Sequence, residues 1–304
     1  MAARVLITGG SGLLALNWAL AIRSKRAVTL GLHERQVSLS GVQTRHIDLE
    51  SVDSLAKSFD EGEVGMVVHT AGFTNVDQCE AKPDLARHIN VELAANVAKV
   101  CAKLNLPLVH ISTDHLFPGT EAMVTEDTPI APVNVYGQTK AEAELQVLEA
   151  YPRALVMRTN FYGWGPAYRR SFSDMVVQAL RAGKELSLFK DVFYTPILIE
   201  AAANTAHDLV ESKAAGIFHV VGDERISKYE FGLKIAKEFA LDAALIKPGY
   251  LFDQPSLIRR PNDMSLSNQK VCKLLGRKLG GISEQIARLH QQEQNGLARE
   301  VRQL

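Results

Sequence analysis

Residues 4–15 read RVLITGGSGLLA, an apolar run that passes through three glycines into a second apolar run. The first run, Arg4 to Thr8, predicts a buried strand, and the second predicts the start of a helix that continues to about Ile22. Glycines between a strand and a helix allow a tight turn, and they let backbone N–H groups approach a pyrophosphate. The helix start adds the positive end of its dipole. The stretch therefore predicts a dinucleotide-binding loop.

A third glycine is often found where this loop has Ala15, at a contact between helix and strand, and alanine is small enough to replace it. A simple glycine turn is the alternative, which the flanking strand and helix disfavour. The residues that we expect to contact the dinucleotide here are Gly9, Ser11, Gly12, Leu13 and Leu14.

Strand and helix patterns alternate through the first half of the chain. Helical periodicity is seen at 86–104 and 136–150. Further strands are predicted at 28–32, 66–70, 108–112 and 154–157. Nearly continuous apolar strands of this kind are typical of a parallel sheet that is covered by helices on both faces. The predicted fold class is α/β, a Rossmann-type doubly wound parallel sheet.

The regular alternation of strand and helix patterns ends after about Gly163. Helical patterns at 173–182 and 200–211 are joined by shorter extended pieces, and 216–221 predicts a strand. Ser227 and Glu230 predict a capping box at the start of a helix that ends near Phe239. We therefore expect a dinucleotide-binding Rossmann domain over 1–163 and a smaller C-terminal α/β substrate lobe over 164–304, interleaved with the first domain.

Composition excludes several classes of protein. Lys plus Arg and Asp plus Glu both number 34, so we expect no nucleic-acid partner. No run approaches the roughly 20 apolar residues of a membrane span, and the N-terminal apolar stretch is too short for a signal peptide, so we expect a cytoplasmic protein without a membrane partner. The three cysteines are few and widely spaced, which predicts no disulfide framework and no metal site.

The end of the second predicted strand bears on the type of dinucleotide. An acid that would hold a ribose 2′-hydroxyl is missing there, and His33 and Arg35 lie close by, which favours NADPH with its 2′-phosphate. Glu34 leaves NADH open. Asp48, followed by Leu49, is placed to accept from the adenine amino group; the alternative is that it caps the helix starting near Val52.

Tyr136 and Lys140 are four residues apart on a predicted helix and therefore share one face. A nearby ammonium is expected to lower the pKa of a phenol toward the range useful for acid–base catalysis. The strand at 108–112 leads into Thr113 and Asp114, at the carboxyl end where ligands bind in open α/β sheets. Thr113 is placed to hydrogen-bond a carbonyl oxygen beside Tyr136.

Several segments resemble one known family over nearly the full length. They are 71–77 (AGFTNVD), 111–114 (ISTD), 132–140 (PVNVYGQTK), Arg158-Thr159 and Arg260-Pro261. In these the chain resembles the extended short-chain dehydrogenase/reductases, and within them the dTDP-4-dehydrorhamnose reductases. The resemblance implies NAD(P)H-dependent reduction of the C4 keto group of a nucleoside-diphosphate 4-keto-6-deoxy sugar.

The same resemblance implies roles for individual residues. Tyr136 would donate a proton, Lys140 would position the nicotinamide ribose, and Thr113 would polarise the keto group. Thr70, Ala71 and Gly72 are expected to line the cofactor site. The implied substrate-binding residues are Thr74, Val76, Thr113, Asp114, Phe161 and Arg260. The expected partners are the nucleotide sugar and, as a candidate, a second copy of the chain in a homodimer.

Two departures from the family pattern leave the sugar open. Phe161 stands where the rhamnose enzymes usually carry tryptophan, and His115 stands where an aromatic residue is common. Trp164, in a glycine-rich turn, is a candidate lid over the sugar. A second hypothesis is that the chain is a nucleotide-binding regulatory subunit, because residues 216–219 and 227–230 also resemble the β-subunit of methionine adenosyltransferase. A third is a sugar-nucleotide epimerase, for which no further acid–base groups can be identified.

Overall fold

The computed structural model describes residues 4–254 and 258–304, so the first three residues of the N-terminal stretch lie outside it. The strands of these residues are β1 (Arg4–Thr8), β2 (Val28–Leu32), β3 (Gln43–His46), β4 (Val64–His69), β5 (Leu108–Ile111), β6 (Leu155–Arg158), β7 (Phe161–Tyr162), β8 (Leu186–Phe189), β9 (Phe193–Tyr194), β10 (Ile197–Leu198), β11 (Gly216–His219), β12 (Ile226–Ser227) and β13 (Ile246–Gly249).

The helices of the described residues are, in chain order, α1 (Leu13–Ile22), α2 (Val52–Glu61), α3 (Val76–Ala81), α4 (Pro83–Arg87), α5 (Leu93–Leu104), α6 (Val135–Ala150), α7 (Phe172–Arg181), α8 (Ile199–Glu211), α9 (Lys228–Glu238), α10 (Gln269–Leu275), α11 (Ile282–Gln294) and α12 (Leu297–Arg302). A π-helical turn, His88–Glu92, lies between α4 and α5.

The central sheet has seven parallel strands in the order β11-β6-β5-β4-β1-β2-β3. The chain builds outward from β1 in one direction as far as β3 and then in the other direction from β4. The direction of winding therefore changes between β1 and β4. Open α/β sheets of this kind leave a crevice beyond the carboxyl ends of the strands at this switch point.

Helices cover both faces of the sheet because alternate strand residues point to opposite sides. Val5 and Ile7 of β1 pack into a core that contains Trp18 of α1 and Leu209 of α8. Leu6 packs on the other face into a core formed with the strands, α2, α5 and α6. The predicted fold class, a Rossmann-type doubly wound sheet, is confirmed.

Much of the chain after residue 163 forms a smaller layer around β8 and β13, with α7 and α9 packed nearby. Other parts of it return to the main sheet, because β11 pairs with β6. The predicted capping box is confirmed: Ser227 accepts from the N–H of Glu230, whose carboxylate accepts from the N–H of Ser227. The division of the chain at residue 163 stays a prediction.

Several elements differ from the sequence-based expectation, among them α3, α4, β3 and the start of α5. Strand β3 was not predicted, because its residues are polar and mostly exposed at the edge of the sheet. The helix expected over 86–104 is broken by the π-helical turn, where Asn90 exchanges two hydrogen bonds with the backbone of Phe73, at 2.7 and 3.0 Å. Such turns occur often at functional sites. Within the described ranges, no helix is long and apolar enough to cross a membrane.

Candidate active site

The glycine-rich turn between β1 and α1 brings two backbone segments together. Gly9 has a φ of +66°, and a Cβ there would lie 2.7 Å from the backbone of Ala71, which follows β4. The N–H of Gly12 donates to the carbonyl of Gly9 at 2.8 Å and closes the turn. Helix α1 begins directly after Gly12 with no side-chain cap and no acid in its first turn. Its first N–H groups are therefore available to an anion.

A cleft of about 320 Å³ opens at this helix start and extends along the carboxyl ends of the central strands. Many of the residues singled out from the sequence line it together, although they come from different parts of the chain. They are Gly12, Leu13, Leu14, Thr70, Ala71, Gly72, Thr74, Val76, Thr113, Asp114, Tyr136, Lys140 and Phe161.

Helix α6 presents Tyr136 and Lys140 to this cleft. Its start is fixed by Asn134, whose side chain accepts from the N–H of Gly137 at 2.9 Å. A Cβ at position 137 would lie 2.4 Å from the carbonyl oxygen of His115. Because glycine permits this close approach, the first turn of α6 packs against the loop that carries Thr113.

The surroundings of Tyr136 keep its hydroxyl protonated. Burial raises the pKa of Tyr136 to about 12, although a hydrogen bond with the Thr113 side chain acts in the opposite direction. The imidazole of His115 packs edge-on against the phenol ring at 5.5 Å between centroids. The expectation that Lys140 lowers the pKa of Tyr136 was therefore wrong for this structure, because burial dominates.

The ammonium of Lys140 lies inside the protein, where Nζ donates to the carbonyl oxygen of Ile111 at 2.6 Å. Burial lowers the pKa of Lys140 to about 8, and the Glu144 carboxylate opposes that shift. Two stacked imidazoles, His69 and His110, belong to the same region, and burial and the Lys140 charge lower the pKa of both. Of these three groups, Lys140 is therefore the one that is charged near neutral pH.

A buried ion pair contacts the residue that precedes Thr113. Arg158 donates to both carboxylate oxygens of Glu144, with the shortest distance at 2.7 Å, and both side chains are almost completely buried. Ser112 also donates to Glu144, at 2.5 Å. The Ser112 hydroxyl is therefore turned toward this ion pair, while both Ser112 and Thr113 contribute to the lining of the cleft.

The residues expected at the ribose end of a dinucleotide lie outside the cleft lining. His33 and Arg35 are exposed beyond β2, and the guanidinium of Arg35 stacks on the ring of Tyr168 at 3.9 Å. The Tyr168 hydroxyl donates to the carbonyl oxygen of Ser11 at 2.7 Å. Arg35 is therefore connected to the glycine-rich turn through one aromatic ring.

Asp48 does not cap α2. Its carboxylate accepts from the N–H of Glu50, and the cap is Ser51, which accepts from the N–H of Ser54. The capping alternative for Asp48 was therefore wrong. Its adenine contact, like that of Leu49, stays a prediction, since neither residue lines the cleft.

A second cleft, of about 470 Å³, adjoins the first and shares Thr74, Val76 and His115 with it. Arg260 lines this second cleft and forms an ion pair with Asp77 at 3.0 Å. The two clefts together form a continuous groove, with Tyr136 in the first and Arg260 in the second.

Trp164 is not a lid. Its side chain is fully buried, and its indole N–H donates to the carbonyl oxygen of Leu289 at 3.2 Å. Asn17 holds its backbone with a hydrogen bond of 2.7 Å to the Trp164 carbonyl. The residue packs the core behind the groove, so the lid hypothesis was wrong.

Several residues of this region were not found from the sequence, and four of them bear directly on the groove. Asn90 fixes the loop after β4, Asn160 donates to the Asp114 carboxylate, and Arg169 donates to the Thr74 hydroxyl. Lys228 lines the second cleft. The sequence signal for Asn160 was its place just after β6, at the same sheet edge as Thr113. For the others, only the fold brings them to the groove.

Three comparisons place the chain among known proteins. The model of the family described as "RmlD substrate binding domain" matches residues 3–295. The "Probable low-salt glycan biosynthesis reductase Agl14" of Haloferax volcanii is 28% identical over 287 residues, which cover 93% of this chain and 96% of that protein. Methionine adenosyltransferase 2 subunit beta of Mus musculus is 30% identical over 278 residues, which cover 88% of this chain and 81% of that protein.

A solved structure shows the same fold. It is the dTDP-4-dehydrorhamnose reductase of Bacillus anthracis in complex with NADP, with a TM-score of 0.82 and 24% identity. The match covers 96% of this chain and 100% of that chain.

Proposed function

The chain belongs to the RmlD substrate binding domain family, and on that premise we propose that it is an NAD(P)H-dependent reductase of nucleotide sugars. The proposed reaction reduces the C4 keto group of a nucleoside-diphosphate 4-keto-6-deoxy sugar to a hydroxyl. The observation that carries the proposal is the meeting of Tyr136, Thr113 and Lys140 in one cleft that opens at the glycine-rich start of α1.

The residues around this helix start fit a dinucleotide. Gly9 and Gly12 permit the tight turn that presents this helix start, since a Cβ at Gly9 would lie 2.7 Å from the backbone of Ala71 and one at Gly12 would lie 3.0 Å from the carbonyl oxygen of Gly9. The uncapped N–H groups of Leu13 and Leu14 are suited to a pyrophosphate. When bound, a reduced nicotinamide dinucleotide would supply the hydride.

Tyr136 is the proposed proton donor. Its raised pKa keeps the hydroxyl protonated at neutral pH, which is the form needed when a keto oxygen gains negative charge. Thr113 is proposed to donate a second hydrogen bond to that oxygen, which stabilises the developing charge. Lys140 is proposed to hold the ribose hydroxyls, since its side chain lines the same cleft.

We propose NADPH as the preferred cofactor and keep NADH as the second candidate. Arg35 stacks on Tyr168, which itself contacts the glycine-rich turn, so a guanidinium is held where a 2′-phosphate would need a partner. His33 is the second candidate partner of that phosphate, and the exposed Glu34 between them is the reason for keeping NADH.

The substrate is proposed to lie across the two clefts, with its diphosphate in the second cleft and its keto group toward Tyr136 in the first. Arg260 would meet the diphosphate, because a guanidinium binds phosphate oxygens in a bidentate manner. Thr74, Val76, Asp114 and Phe161 would surround the sugar. A homodimer stays a prediction, which light scattering of the purified protein would test.

The direct experiment follows NADPH absorbance in the presence of a panel of dTDP-, UDP- and GDP-linked 4-keto-6-deoxy sugars. We expect oxidation with at least one member of the panel and formation of the corresponding 4-hydroxy sugar. Binding of NADPH without turnover of any member would contradict the proposed reaction.

A regulatory subunit is the second candidate, and the 30% identity to methionine adenosyltransferase 2 subunit beta favours it. The two candidates differ in a measurable way. A regulatory subunit should bind dinucleotide and a methionine adenosyltransferase catalytic chain and show no turnover with nucleotide sugars. A reductase should turn over nucleotide sugars when no partner protein is present.

A further inference from the structure

Lys228 places a positive charge in the second cleft, at a position for which the reaction proposed above gives no role. It is the first residue of α9, and its side chain lines the cleft with Thr74 and Arg260. Its Nζ lies 3.4 Å from the ring centroid of Tyr194 and 4.7 Å from that of Phe172. Two aromatic faces therefore hold the ammonium in a fixed place.

The ammonium has no hydrogen-bond acceptor within residues 4–254 and 258–304, and no carboxylate there forms an ion pair with it. Burial lowers the pKa of Lys228 to about 8, and Asp114 acts in the opposite direction. Lys228 is half-buried at the wall of the cleft, so its ammonium has lost part of its hydration and faces the space that a ligand would enter. A ligand oxygen in the cleft would supply the missing acceptor.

Asp114 and Asn160 provide the complementary groups. The buried Asp114 carboxylate accepts from the Asn160 amide, and Asn160 lines both clefts. A negative charge close to Lys228 disfavours a second carboxylate or phosphate at this point. A sugar hydroxyl suits the pair better, because it can accept from the ammonium and donate to the carboxylate.

We propose that Lys228 and Asp114 form a hydroxyl-recognition site for the sugar ring, with Lys228 as a specificity-determining residue. This inference rests on the proposed function. It assigns the sugar to the part of the groove where the two clefts meet, beside Asp114 and Asn160, which also places the C4 keto group of the sugar near Thr113. Arg260 stays the proposed binding partner of the diphosphate.

The test compares the binding of a nucleotide with the binding of its sugar conjugate. Calorimetry would measure the affinities of dTDP, dTDP-glucose, UDP and UDP-glucose for the wild type and for Lys228→Met. Methionine keeps an apolar stem and packs well against aromatic rings but has no donor. Of dTDP-glucose and UDP-glucose, we take the one that the wild type binds more tightly. We expect Lys228→Met to bind this nucleotide sugar about 10- to 100-fold more weakly than the wild type does, and to bind the corresponding free nucleotide with unchanged affinity.

Control variants distinguish a loss of sugar recognition from a loss of folding and from the removal of a positive charge. Lys190→Met is matched, because Lys190 also lies over an aromatic ring, that of Tyr229, but it is exposed and outside the cleft. It should bind all four ligands like the wild type. Lys228→Arg keeps a donor and should recover part of the lost affinity, and unchanged NADPH binding in all variants would show intact folding.

Three results would overturn the inference. Equal weakening of the nucleotide and of its sugar conjugate would assign Lys228 to the phosphates. Unchanged affinities in Lys228→Met, with a wild type that prefers the nucleotide sugar, would remove Lys228 from recognition while leaving the proposed function intact. A wild type that binds no nucleotide sugar would overturn both.

Discussion

The Nζ atom of Lys140 donates a 2.6 Å hydrogen bond to the carbonyl oxygen of Ile111, the last residue of β5. This contact joins the middle of α6 to the strand that leads directly into Thr113. Helix α6 and the segment that leads into Thr113 are therefore held together by a buried ammonium, whose hydrogen-bond partner among the described residues is this carbonyl. Since burial lowers the pKa of that ammonium to about 8, its charge changes within the range in which enzymes are assayed.

We predict that kcat for reduction falls as the pH rises through about 8. Lys140 is charged below its lowered pKa and neutral above it, and only the charged form binds ribose hydroxyls strongly. Tyr136, with a pKa raised to about 12, stays protonated over this range and does not cause the fall. His69 and His110 stay neutral, because their pKa values are lowered. The measurement is the pH profile of kcat and kcat/KM.

Lys140→Arg is the control for this profile, because a guanidinium stays charged throughout the range. The alkaline fall should disappear in this variant, although its kcat should be lower at every pH. A wild-type profile that is flat across this range, or the same fall in Lys140→Arg, would show that another group titrates.

Tyr136→Phe should lose turnover while keeping the cofactor. The change removes the proposed proton donor and leaves the ring that packs against His115. Losing a general acid typically costs 10² to 10⁴ in rate, so we expect a fall in kcat of about that size. NADPH binding, measured by fluorescence, should change little. Tyr151→Phe, at the other end of α6, is the matched control and should keep full activity.

The glycine-rich turn and the Tyr136–Lys140 pair could be predicted because their spacing alone determines local geometry. A strand, three glycines and a helix allow few arrangements, and a spacing of four places two side chains on one helix face. The sign of the Tyr136 pKa shift could not be predicted in this way. It depends on burial and on where the ammonium points, and both are set by tertiary packing.

Other features depend on contacts between distant parts of the chain. The polar strand β3 has no apolar pattern to indicate it, and it exists because β2 offers an unpaired edge. The break in the helix at Asn90 arises because its side chain binds the backbone of Phe73, 17 positions earlier. Lys228 reaches the cleft only because α9 packs beside α7 and β9.

Arg35→Ala should weaken the binding of NADPH more than that of NADH. Arg35 lies over Tyr168, and a hydrogen bond to a charged group is worth about 1.5–3 kcal/mol, so the NADPH affinity should fall about 10- to 100-fold. Arg45→Ala is the control, because Arg45 also follows β2 in the chain but pairs with Glu61 of α2. Dissociation constants for both dinucleotides would check this. Equal effects on NADPH and NADH would exclude Arg35 as the reader of the 2′-phosphate.

Arg158→Met should be strongly destabilising. The change leaves the Glu144 carboxylate buried without its charged partner, and breaking such a pair typically costs about 3–5 kcal/mol. Removing both charges with Arg158→Met and Glu144→Leu should cost less than the sum of the single changes. Arg23→Met, which breaks the more exposed pair with Glu300, should cost at most about 1 kcal/mol. Urea unfolding would measure all four variants, and a loss below about 1 kcal/mol for Arg158→Met would contradict the prediction.

Finally, the buried imidazoles should make the fold sensitive to acid. Burial lowers the pKa of His69 and of His219 to about 3 and that of His207 to about 4, from an unfolded value near 6.5. Below pH 6.5 the unfolded chain therefore binds more protons than the folded chain, so the free energy of unfolding falls as the pH falls.

At pH 5 each of these three imidazoles should lower the free energy of unfolding by about 2 kcal/mol. The reason is that pH 5 lies about 1.5 units below the unfolded pKa, and each unit corresponds to about 1.36 kcal/mol. Urea unfolding at pH 7 and at pH 5 would measure the loss. His110→Phe removes one further buried imidazole, whose nitrogens have no hydrogen-bond partner in the described residues, and keeps a ring of similar shape. Burial holds the pKa of His110 well below its ordinary value, so the acid-induced loss should be smaller in this variant, and the same exchange at the exposed His46 is the control. If His110→Phe lost as much stability between the two pH values as the wild type, protonation of this imidazole would not contribute to the acid sensitivity.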